Sequence, residues 1–148
     1  MPIMEAENNK TTQELLKQLS DKETDFAEFV SRAENSFIKK DLNDTWQKLI
    51  EKSKFSKSDI INKSDIGYTY FYDILRGEKC PSRDKIVRLI LAMQLELDDC
   101  QNALELYNWA PLYAKDKRDS AMIYAINNKL SVWSLDELLA ENELEMLK

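Results

Sequence analysis

The side chains with chemistry to offer are concentrated between residues 57 and 88. Lys57, Arg76, Lys79, Arg83, Lys85 and Arg88 supply cations there, and Tyr68, Thr69, Tyr72 and Asp73 supply hydroxyl and carboxylate groups. Ammonium and guanidinium heads bind anions, while hydroxyls and a carboxylate exchange hydrogen bonds with polar edges, so the set suits recognition better than bond-making. The catalytic alternatives are thin. The chain has 0 His and 2 Cys, which removes the commonest general base and leaves a poor zinc donor set. Carboxylates are plentiful, but no pair is flanked by apolar residues in a way that would raise one pKa. The expectation is a protein that is not an enzyme and carries no cofactor and no metal.

The elements that hold these residues must be helices. Two Gly and 3 Pro in 148 residues leave almost none of the turn chemistry that hairpins or Gly-rich phosphate loops need. With 43% hydrophobic and 32% charged residues the chain reads as globular rather than disordered, and no apolar run is long enough to cross a bilayer. The net charge of -6 is unevenly placed: residues 1–35 carry 4 basic and 8 acidic side chains, 36–92 carry 12 and 8, and 93–148 carry 5 and 11. A basic middle between acidic flanks fits a small anion-binding module with solubilising ends. Cys80 and Cys100 are too few for a disulfide scaffold and the first ten residues lack a secretory pattern, so free thiols and a cytoplasmic location are expected.

Periodicity and capping predict about eight helices and no strand. Thr11 with Glu14 forms a capping-box pattern before Leu15, Leu16 and Leu19, and Asp25 with Glu28 repeats it before Phe26, Phe29, Val30 and Ala33. A helix from Asp41 buries Leu42, Trp46, Leu49 and Ile50. Ser56 caps a short helix holding Ile60 and Ile61, which a tight turn at 64–67 ends, and the next helix carries Phe71, Ile74 and Leu75 inward. Gly77 supplies a left-handed stop, Pro81 blocks continuation, and Ser82 caps a helix burying Ile86, Leu89, Ile90 and Met93. Asp98 or Asp99 opens the next helix, with Leu104 and Tyr107 inward, and two more follow the KDKRD run at 115–119.

Residues 41–104 resemble the phage-repressor-type (XRE or Cro-like) helix-turn-helix. The resemblance is carried by Ile60 and Ile61, Asp65 and Ile66 at the turn, Phe71 and Ile74, and then Arg76, Gly77, Lys79, Pro81 and Ser82. It covers somewhat under half of the chain. The tail from APLYAKDKRD is also similar to extensions of uncharacterised bacterial regulators of this class. Asp65 departs from the family's usual turn glycine, Gly67 from its serine or threonine, and Leu75 from its glutamate. The resemblance implies an all-α fold: a five-helix core at 41–104, an N-terminal extension at 1–40, and a C-terminal extension at 105–148 packed on the core. It implies a sequence-specific transcription regulator, a repressor, that inserts helix 67–76 into the major groove of double-stranded DNA.

On that reading Tyr68, Thr69, Tyr72 and Asp73 face the bases, and Lys57, Arg76, Lys79, Arg83, Lys85 and Arg88 face phosphates. One such module reads few base pairs, so a homodimer is expected, joined through the flanking helices. The aromatic cluster also permits a protein-interaction module docking through Tyr68 and Tyr72. Trp109 and Trp133 beside Leu112 and Tyr113 read as core, the KDKRD run as solvated surface, and the cysteines as buried or idle.

Overall fold

The computed structural model describes residues 11–33 and 42–148. Among these residues the regular elements are nine helices, with no strand, so the chain is all-α. Asp41, expected to open a helix, lies outside the described residues. The chain divides into two compact units, 1–40 and 41–148.

In the first unit, α1 (Thr12–Leu19) and α2 (Phe26–Ala33) form a short pair. Thr11 accepts from the Glu14 N–H, which satisfies one orphan donor at the start of α1. Thr24 Oγ1 donates to the Gln18 carbonyl and ties the connecting turn back onto α1. Phe29 and Ala33 are buried, but Leu16, Leu19 and Phe26 are half-exposed or more. The packing expected of Phe26 is thus corrected: it lies on the open side, its ring stacked on Phe29 at 6.3 Å.

The second unit holds α3 (Leu42–Ser53), α4 (Lys57–Ser64), α5 (Tyr68–Leu75), α6 (Arg83–Met93), α7 (Leu97–Leu106), α8 (Lys117–Asn127) and α9 (Val132–Glu141). Helix α6 is its axle. From Ile86 to Met93 the sequence IVRLILAM is apolar on every side except at Arg88, and a helix without a polar face must be enclosed by others. Helices α3, α4, α7, α8 and α9 all pack against it. Each residue of that stretch is buried, Arg88 included.

Side-chain caps set most of the boundaries. Ser56, Ser82, Asp116 and Ser131 each accept from a backbone N–H three residues on, which fixes the starts of α4, α6, α8 and α9. Helix α7 starts earlier than expected. Glu96 is its N-cap, with Asp99 accepting from the Glu96 N–H, and Gln94 in the left-handed region ends α6 two residues before. Trp46, buried in α3, donates from Nε1 to the Tyr107 hydroxyl at 2.7 Å and joins the start of the unit to the end of α7.

Candidate functional site

Helices α4 and α5, eight residues each, are joined through Asp65 and Gly67. Asp65 takes φ 55, ψ 36, the left-handed conformation that a short polar side chain tolerates better than most. Ile66 is buried and anchors the turn, while Gly67 is extended and caps α5 with no side-chain bond. Phe71, Ile74 and Leu75 hold α5 on the core. This fixes the opposite face, because residues one helical turn apart share a side.

On that face Tyr68 is 67% exposed and Thr69 is exposed. The Tyr68 and Tyr72 rings meet at 4.7 Å, and Lys57 Nζ lies 5.8 Å from the centre of the Tyr72 ring. The structure therefore brings Lys57, Tyr68, Thr69 and Tyr72 together at the start of α4 and the exposed face of α5. Asp73 and Arg76 share the same side but are bonded to each other, and Arg76 also reaches Glu78. Arg76 is held protonated by Glu78 and Asp73. Lys79 stands exposed in the connection after α5.

Three other predicted cations are engaged elsewhere. Lys85 Nζ sits 5.3 Å from the Tyr70 ring centre and donates to the Lys148 carbonyl. Arg83 faces α8: it grips Asp119 with two bonds of 2.7 and 2.8 Å, and donates to the Ala110 and Pro111 carbonyls. Burial pushes the Asp119 carboxyl up, but Arg83 and the Tyr113 N–H outweigh it and hold the group below its ordinary value of 3.8. Arg88, read from sequence as a phosphate contact, is 9% exposed and, among the described residues, bonds only to the Ser64 and Leu147 carbonyls. The turn of α6 that aims it carries it inward, under the last residues of the chain.

The charged run at 115–119 is not simply solvated surface. Asp116 caps α8, Asp119 is buried on Arg83, and Arg118 makes a two-bond pair with Asp84 at 3.0 and 2.8 Å. Burial raises the Asp84 carboxyl, yet Arg118 and the Lys148 N–H bring it below 3.8. Adjacent opposite charges at the starts of α6 and α8 were the available signal, since Arg83 with Asp84 and Arg118 with Asp119 each occupy a first helical turn. Their pairing across more than thirty residues had none.

The aromatic expectation is also corrected. Trp109, Tyr113 and Trp133 are 40%, 58% and 51% exposed, and only Leu112 of that group is buried. Trp109 is steered outward because its Nε1 donates to the Pro81 carbonyl, and Leu112 is drawn in by a paired backbone bond to Gln101. Cys80 is exposed, whereas Cys100 is buried and its thiol is pushed up to about 12 by desolvation.

No protein-family model, curated protein or solved structure matches this chain. Among the described residues no group of side chains has the arrangement to hold a metal ion, and no helix is long and apolar enough to cross a membrane.

Proposed function

We propose that the protein is a sequence-specific, double-stranded-DNA-binding transcription regulator of the cytoplasm, a repressor that works as a homodimer and reads the major groove with α5. The observation that carries this reading is the exposed Tyr68–Thr69 start of α5, flanked by Lys57 at the start of α4 and followed by Lys79. A helix-turn-helix reads bases from the first turns of its second helix while the start of the first meets the backbone, and this layout matches that division of labour. Thr69 would contact a base edge or a thymine methyl, and the tyrosine hydroxyls would reach phosphates or bases.

The test is fluorescence anisotropy on DNA from upstream of the protein's own gene, with scrambled duplex as competitor. Thr69→Ala with Tyr72→Ala should lower specific binding more than nonspecific binding, and Lys79→Ala should lower both. Equal losses in both classes from the first pair would refute the assignment.

One feature favours a second reading, in which the same face docks on a protein. Tyr68 lies against Tyr72 with its ring tilted and most of its surface in solvent, and Asp73 and Glu78 already neutralise Arg76. Exposed aromatics ringed by satisfied charges resemble the centre of a protein interface. A partner complex lost on Tyr68→Ala, with DNA affinity at background, would establish that reading.

A further inference from the structure

Arg88 is the one charged side chain placed in the middle of the axle helix, and its surroundings do not neutralise it. Among the described residues no carboxylate pairs with it: Asp84, one turn earlier on α6, is taken by Arg118 and the Lys148 N–H. Its Nη1 reaches the Ser64 carbonyl at a long 3.4 Å and its Nη2 the Leu147 carbonyl at 2.8 Å, while Nε, fully enclosed, has no partner. A buried guanidinium satisfied by two carbonyls is an expensive arrangement, because its charge and one of its donors remain uncompensated.

What encloses Arg88 is the segment 144–148, which has no regular secondary structure. It leaves α9 through Glu143, held at φ 59; Leu147 is buried and Leu144 packs half-buried against the core, while Met146 is half-exposed. Its backbone is gripped as well. The carbonyls of residues 145–148 accept from Arg118, Arg118, Arg88 and Lys85 in turn, and the N–H groups of Leu147 and Lys148 donate to Asp136 and Asp84. Two of those carbonyls, on Leu147 and Lys148, lie on Arg88 and Lys85, and Lys85 is also against the Tyr70 flank of α5. Carbonyl oxygens on a pair of cations beside a recognition helix occupy the positions that phosphate oxygens would take.

We propose that segment 144–148 masks a phosphodiester site: when it lifts, Arg88 and Lys85 bind one backbone phosphate of nucleic acid in place of the Leu147 and Lys148 carbonyls. This rests on the reading of α5 as a DNA-facing helix. The segment is the occupant in the absence of DNA, and Leu147 is its fastener. The anion supplies what the carbonyls do not, a full negative charge for the buried guanidinium.

The experiment compares the full chain with its Leu147→Ala variant on random-sequence duplex, by anisotropy over a series of salt concentrations. Loosening the fastener should tighten binding roughly five- to ten-fold at low salt and steepen the log–log salt slope by about 0.9, the release expected for one more phosphate contact. Arg88→Met in the Leu147→Ala background should abolish both changes. Circular dichroism melting confirms that each variant is folded; if Leu147→Ala is not, Asp136→Asn, which weakens only the acceptor of the Leu147 N–H, replaces it. Wild-type affinity and slope in the loosened variant would overturn the proposal, as would a gain that survives Arg88→Met. If the gain is absent while Thr69→Ala and Tyr72→Ala still abolish operator preference, the masked site is refuted and the DNA reading stands. If the gain depends on Arg88 but the wild type has no sequence preference, the site stands and sequence-specific reading is refuted.

Discussion

Replacing Asp119 tests whether Arg83 is a brace or a nucleic-acid contact. The Asp119 side chain is 9% exposed and accepts two bonds from Arg83 and a third from the Tyr113 N–H at 3.0 Å. Removing one member of a buried pair leaves the other charged and unpaired, which costs about 3–5 kcal/mol. Arg83 retains 23% exposure and its two carbonyl acceptors, so the expected loss for Asp119→Ala is at the low end, about 3 kcal/mol. For a unit of this size that is a fall in Tm of roughly 12 °C, at about 4 °C per kcal/mol. Asp119→Asn keeps the shape but removes the charge, and should cost less. Urea unfolding of both, of Arg83→Met and of the double variant Arg83→Met/Asp119→Ala gives the coupling energy. The double variant should be more stable than the sum of the single losses by at least about 1 kcal/mol, because no orphan charge remains. A loss below about 1 kcal/mol for Asp119→Ala, or strict additivity in the double variant, would refute the brace.

Three further outcomes follow from named contacts. Asp84 and Asp119 both titrate below 3.8 in the folded protein, so their pairs contribute fully above the unfolded-state value and are lost as pH falls through the folded values. Stability should drop steeply below about pH 4, and the acid limb of a pH–Tm profile should flatten in Asp84→Asn/Asp119→Asn. The Cys100 thiol, pushed up to about 12 in the core, should ignore a disulfide reagent at neutral pH while exposed Cys80 reacts; one thiol titrates in the native protein and two in denaturant. A Cβ on Gly67 meets nothing within 4 Å and the backbone there is extended, so Gly67→Ser should cap α5 and raise stability by about 0.5–1 kcal/mol in urea titration.

Most of the second unit was legible because its signals are local. A hydroxyl three residues before the first free N–H predicts Ser56 and Ser82 as caps without any knowledge of the fold. Asp65 in a turn and Gly77 after α5 were readable for the same reason, since left-handed positions select for short polar residues or glycine. The site residues split along the same line. Tyr68 and Thr69 are exposed, and Lys57 partly so, where helical phase puts them. Arg83 and Arg88 are not, because what claims them lies 36 and 59 residues away, in α8 and in the last segment. Periodicity marks the face of a helix that is apolar; it does not say that a cation on an otherwise apolar helix will be covered from a distance. The outward Trp109 marks the complementary limit, where one side-chain bond to a carbonyl turns an aromatic ring away from the core.

These placements change what the basic middle segment can do. If all six cations named from sequence met phosphates, the slope of log K against log salt on random duplex would approach about -5 per protomer, at about -0.9 each. The structure commits Arg83 to Asp119, encloses Arg88, and pairs Arg76 with Asp73 and Glu78. Among the described residues Lys57 and Lys79 have no carboxylate partner, while Lys85 leans on Tyr70 and lies under the Lys148 carbonyl. With segment 144–148 in place, two contacts give a slope of about -1.8. A wild-type slope near that value, measured with segment 144–148 intact, supports an arginine set that braces the fold and a lysine set that meets the partner. A slope near -5 would mean that the braces open on binding. A slope near zero would remove phosphate from the partner's chemistry and leave the Tyr68 and Tyr72 face to a protein.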